Sequence, residues 1–144
     1  MNASYEVRHA RAEDYEAIEP VLDDWWGHPI ASVLQPLFLD HFHDTSYVAE
    51  KDGELVGFLV GFLSPARRDV AYIHFVGVRP DMRRSGLARD LYGRFFELAR
   101  ADGRTEVWAV TGPINETSVK FHQALGFTVR GPVRGYLEFR KSLS

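Results

Sequence analysis

Arg83, Arg84, Ser85 and Gly86 stand between the strand-like run "VAYIHFVGV" (70–78) and a helix-like run that begins at Leu87. They are poor residues for packing a core and suitable ones for holding an anion. A helix start leaves about four backbone N–H groups unpaired and carries roughly half a positive charge. A glycine there lets a ligand approach the backbone, and flanking arginines add charge. Together these are the parts of a phosphate cradle. The plain alternative is an ordinary helix N-terminus capped by Ser85. The stretch is not a P-loop, because no Gly-Lys-Ser/Thr follows, and the dinucleotide fingerprint G-x-G-x-x-G is absent.

Six histidines could also do chemistry: His9, His28, His41, His43, His74 and His122. His74 lies in the strand-like run, where a period of two puts Tyr72, His74, Val76 and Val78 on one face. His41 and His43 point apart if they are helical and lack companion ligands, so no metal site is expected. Trp25 fits the apolar side of a helix. Its neighbour Trp26 is harder to bury there and, with His28, is the better candidate for lining a pocket.

The elements that must position these residues follow from periodicity and breakers. "YEVRH" (5–9) alternates as a first strand. Tyr15, Ile18, Leu22 and Trp25 fall at helical spacing, with Pro20 expected to kink or split that helix. Residues 28–42 form a second, broken helical stretch, with Pro29 suited to a first turn and Pro36 disruptive. "TSYVAE" and "LVGFLVGFL" are two strands joined by a turn at Asp52-Gly53. The 70–78 strand comes next. Leu87, Leu91, Phe95 and Leu98 mark a helix ending near Asp102-Gly103. "TEVWAV" is a fifth strand. Residues 115–127 form a helix capped by Asn115 and stopped at Gly126. Short strands at 127–130 and 135–140 complete a β-αα-βββ-α-β-α-ββ order, an α/β single domain over residues 1–144 with a mixed central sheet.

The chain of 144 residues suits one core. It has no cysteine, which removes disulfides, thiolate nucleophiles and cysteine-based metal sites and suits a cytoplasmic protein. No apolar run is long enough to span a membrane, so no membrane partner is expected. Residues 1–54 hold three basic against twelve acidic residues, a net of −9, and the rest of the chain is +6. With an acidic first third and a pI near 6.1, nucleic acid is not an expected partner.

"VRPDMRRSGLA" resembles motif A of the GNAT acyltransferases, whose core is Arg/Gln-x-x-Gly-x-Gly/Ala and here falls on Arg83 to Ala88, after a matching Val78 and Pro80. "NETSVKFHQALGF" resembles the same family's motif B. The resemblance covers nearly the whole chain. It implies a GNAT-like sheet in which the fourth and fifth strands splay apart. It implies acetyl-CoA as co-substrate. The amides of Arg83, Arg84, Ser85, Gly86, Leu87 and Ala88 would hold its pyrophosphate. Val76 and Val78 would pair with the pantetheine arm, and Asn115, Ser118 and Phe121 of motif B would contact it. Trp26, His28 and Tyr72 would border the acceptor.

The resemblance also implies two catalytic histidines. His122 stands where many members have the tyrosine that protonates the departing thiolate; it could donate a proton, bind CoA or simply pack. His74 stands at the offset of a family glutamate base, and the alternative is a buried, satisfied histidine. The implied activity is direct acetyl transfer to an amine, without metal, by a homodimer. A small cationic amine is the acceptor that the acidic first third suggests. Acetylation of a protein lysine or N-terminus, or a non-catalytic acyl-CoA sensor, are the alternatives.

Overall fold

A computed structural model describes residues 5–27, 29–112 and 115–143. Strands β1 (Glu6–His9), β2 (Tyr47–Lys51), β3 (Glu54–Leu63), β4 (Val70–Val78), β5 (Glu106–Thr111), β6 (Thr128–Val133) and β7 (Tyr136–Ser142) form one sheet in the order β1-β2-β3-β4-β5-β7-β6. All neighbours are antiparallel except β4 and β5, which run parallel and pair only from Val70↔Glu106 to Tyr72↔Trp108. Beyond those residues the two strands part. The element order is the one the sequence suggests, and the mixed sheet and its splay are present.

Helices α1 (Tyr15–Trp26) and α2 (Pro36–Phe42) cover one face, and α3 (Leu87–Ala101) and α4 (Glu116–Ala124) cover the other. This is why β3 reads as an almost continuous apolar run: Leu59 packs under α3 while Phe58 and Val60 pack under α1 and α2. Gly57 and Gly61 let α3 lie close to the sheet. A Cβ at these positions would come within 2.8 Å of Leu87 and 2.5 Å of the Phe95 ring.

Three expectations are corrected. Pro20 does not split α1, which is one helix. Pro20 and Glu16 are both exposed, so water can take the Glu16 carbonyl that the missing N–H leaves free. Pro36 does not disrupt a helix; it occupies the first position of α2, where its missing N–H costs nothing. Finally, Tyr72 and His74 do not share a face with Val76 and Val78. The β3–β4 register steps from Val60↔Phe75 to Gly61↔Ile73, so His74 is an extra residue in a bulge. One inserted residue reverses the alternation. Val76 and Val78 pack on the α3 side, while Tyr72 stacks on Phe62 and His74 on Phe38, on the α2 side.

Candidate active site

Pro80–Met82 form a single 3-10 turn after β4, and the chain then enters α3 through Arg84 (φ 73°) and Gly86 (φ 88°), both left-handed. A non-glycine residue in that region stores strain, which tends to mark functional turns. The N–H of Ser85 bonds the Met82 carbonyl and that of Leu87 bonds Ser85 Oγ. Among the described residues, no backbone bond takes the N–H of Arg84, Gly86, Ala88 or Arg89. These four donors at a helix N-terminus lie where the sequence suggests an anion cradle.

The cradle sits at the mouth of a cleft of about 650 Å³. The cleft is walled by β4, α3 and α4, where β5 has moved away. Of the expected cofactor residues, Val76, Val78, Arg83, Arg84, Gly86, Ala88, Asn115, Ser118 and Phe121 line it. Ser85 and Leu87 do not. Ser85 Oγ is spent on the Leu87 amide, and the Leu87 side chain is fully buried beneath Gly57. Arg83 reaches the Trp25 carbonyl at 2.8 Å and ties the C-terminal end of α1 to the turn. The remaining cations at the mouth are Arg84 and Arg89. Sequence reasoning missed Arg89. The available signal was a cation in the first turn of a helix, which opposes the helix dipole unless an anion sits there.

Of the expected substrate residues, Trp26 lines this cleft, its ring 4.7 Å from that of Phe75. Tyr72 lines a separate cavity on the opposite face of the sheet. His28 lies outside the described residues. Asp23, three residues before Trp26, accepts the amides of Ile30 and Ala31 at 2.8 and 2.9 Å. Among the described residues no three His, Asp or Glu side chains converge on a point that could hold a metal.

His122 is buried on α4 and stacked face to face on Phe139, with centroids 3.9 Å apart. Its Nδ1 lies 2.8 Å from the Ser118 carbonyl, which can only accept, so Nδ1 carries the proton. Nε2 then accepts from the Tyr92 hydroxyl at 2.9 Å. Tyr92, on α3, also lines the cleft. Burial pushes its hydroxyl pKa well above the ordinary tyrosine value, so it stays protonated. Its sequence signal was a second helical stripe, Tyr92, Phe96 and Ala99, beside the one read first. His74 is not part of the cleft lining. Its Nε2 donates to the Val33 carbonyl at 2.9 Å, and Nδ1 has no hydrogen bond among the described residues.

Burial lowers the pKa of both imidazoles, opposed in each by the hydrogen bond to a carbonyl, Val33 for His74 and Ser118 for His122. The fold holds them neutral, whereas the unfolded chain protonates them near pH ~6.5. Below that pH the unfolded state binds more protons, so stability is full above it and falls as pH drops. Thermal melts should show a lower Tm at about pH 5.5 than at neutral pH. The drop should shrink in His74→Gln, whose amide still donates to Val33. An undiminished drop in that variant would remove His74 as a source.

The acetyltransferase (GNAT) family model matches residues 5–127. An uncharacterized N-acetyltransferase of Methanocaldococcus jannaschii is 33% identical over 104 residues, covering 69% of this chain and 46% of that protein. The L-2,4-diaminobutyric acid acetyltransferase of Shouchella clausii is 32% identical over 82 residues, covering 57% of this chain and 46% of its own. The chain thus matches about half the length of these curated relatives. Among solved structures, the diaminobutyrate acetyltransferase of Paenibacillus lautus, in complex with L-2,4-diaminobutyric acid and coenzyme A, superposes with a TM-score of 0.79 at 19% identity, covering 98% of this chain and 96% of that one. With the family model spanning most of the chain and both motifs built into one cleft, this protein belongs to the acetyltransferase (GNAT) family.

Proposed function

We propose that the protein is an acetyl-CoA-dependent N-acetyltransferase acting on the primary amine of a small molecule. The observation that carries this reading is the set of free amides at Arg84, Gly86, Ala88 and Arg89, placed where β4 and β5 part. The amides suit a pyrophosphate, and the unpaired inner edge of β4 suits an extended amide-bearing arm that runs from Val78 past Val76. The similarity to diaminobutyrate acetyltransferases supports a small amine as acceptor.

The chain has no cysteine to carry an acyl group, so the acceptor nitrogen attacks the thioester carbonyl directly. A C–N bond forms, the C–S bond breaks, and the thiolate takes up a proton. An amine of pKa ~10.4 must first lose its own proton, which costs roughly 4.6 kcal/mol at pH 7. His74 Nδ1, the ring nitrogen of the two candidate histidines that is left unbonded, accepts it. Tyr92 returns a proton to sulfur by turning its O–H from His122 Nε2 into the cleft that it lines. The protein's further contribution is orientation.

Calorimetry with CoA, followed by a CoA-release assay over small amines and lysine-bearing peptides, tests the reading. Binding in the micromolar range and release with small amines are expected. No CoA binding would refute it, and release with peptides alone would move the acceptor to proteins.

A further inference from the structure

On the opposite face of the sheet, at the level of Tyr72, lies a second cavity of about 320 Å³. Its floor is Tyr72 of β4, Trp108 of β5 and Glu138 and Arg140 of β7; Arg67 from the β3–β4 loop and Arg134 from the β6–β7 turn stand at its sides. Tyr72 and Trp108 are the last residue pair that joins β4 to β5. The cavity therefore opens at the apex of the splay, whose wide end holds the anion cradle. An arm laid along β4 from Val78 past Val76 points at that apex.

The charges lining it are three arginines, Arg67, Arg134 and Arg140, against one carboxylate, Glu138. Arg140 lies over the Trp108 ring at 3.9 Å and Arg67 over it at 5.0 Å. The ring is held from its edge by Nε1–H donating to Glu106 at 2.8 Å. Glu138 is shared between Arg130 at 2.9 Å and Arg140 at 3.7 Å, so its charge is already answered. Among the described residues neither Arg67 nor Arg134 has an ion pair. A guanidinium parked on an aromatic face keeps its N–H edge free, and that edge matches a carboxylate or phosphate. A free cationic amine would meet three arginines here and one neutralised glutamate.

We infer that the acceptor is an amine that also carries an anionic group, a carboxylate or a phosphate, held by Arg67, Arg134 and Arg140 beside Trp108. This rests on the acetyl-transfer reading and reverses the cationic amine that net charge alone suggests. None of the twelve acidic residues of 1–54 lines this cavity; four of them are engaged elsewhere, Asp14 and Glu50 with Arg8, Glu54 with Arg79, and Asp23 in capping a loop.

The test uses matched acceptors that differ in the anion: 2,4-diaminobutyrate against 1,3-diaminopropane for carboxylate, and O-phosphoethanolamine against ethanolamine for phosphate. CoA release should give a kcat/KM at least about tenfold higher for the anionic member of one pair, and that pair identifies the anion. Arg140→Gln and Arg67→Gln should each shrink this ratio several-fold, with CoA affinity by calorimetry as in wild type. Titrating the same four amines into CoA-loaded protein reads the preference without turnover. A ratio near or below one in both pairs, or a ratio untouched by both substitutions, overturns the acceptor class while CoA binding stands. Failure to bind CoA overturns the activity and this inference with it.

Discussion

Gly86→Val should leave the protein folded and lower its affinity for CoA by about a hundredfold or more, roughly 2.7 kcal/mol. Gly86 has φ 88°, and a Cβ there would meet no atom within 4 Å. The cost to folding is therefore the left-handed backbone of a β-branched residue, about 1–2 kcal/mol. The cost to binding is larger, because the empty space before Gly86 is the space a pyrophosphate must enter to reach the amides. Gly93→Ala, in the same helix, is the control. It has ordinary helical backbone, open surroundings and no place in the cleft, and should gain up to about 1 kcal/mol in stability with CoA affinity unchanged. Calorimetry and thermal melts on both variants decide it. A folded Gly86→Val that binds CoA like wild type removes the turn from the site.

The second large effect belongs to Tyr92 and His122. If this pair delivers the proton to the departing thiolate, Tyr92→Phe should lower kcat about 10²-fold while CoA affinity changes little. His122→Phe should do the same and also destabilise the fold by about 1–3 kcal/mol, since it strands a buried hydroxyl. Because the two act as a unit, the double variant should be scarcely slower than either single one. A purely structural pair would show the melting loss without the kcat loss. Both variants within twofold of wild type in kcat would end the assignment.

The anion turn was legible because its parts are contiguous: a left-handed glycine, a helix start and flanking arginines fall within a few residues. The capping of α4 by Asn115, whose side chain accepts the Ser118 amide at 3.0 Å, was legible for the same reason. The face assignment of His74 failed because nothing in residue type marks the inserted residue of a bulge; only the register against β3 reveals it. Tyr92 was overlooked because its bond to His122 joins α3 to α4 and owes nothing to its neighbours in sequence. The basic cavity was illegible for a stronger version of that reason. Its residues run from Arg67 to Arg140 within the +6 segment, but a summed charge does not say which side chains meet, and the acceptor was read from the −9 of residues 1–54 instead.

The three residue pairs between β4 and β5 make the sheet two panels joined at one corner. One panel is β1 to β4 and the other is β5, β7 and β6. Past Tyr72 and Trp108 the facing edges are a ladder with its rungs missing. An amide-bearing chain lying in that gap offers donors and acceptors to those edges, as a strand would. A co-substrate bound there as proposed would finish the sheet, as a temporary eighth strand between the two panels.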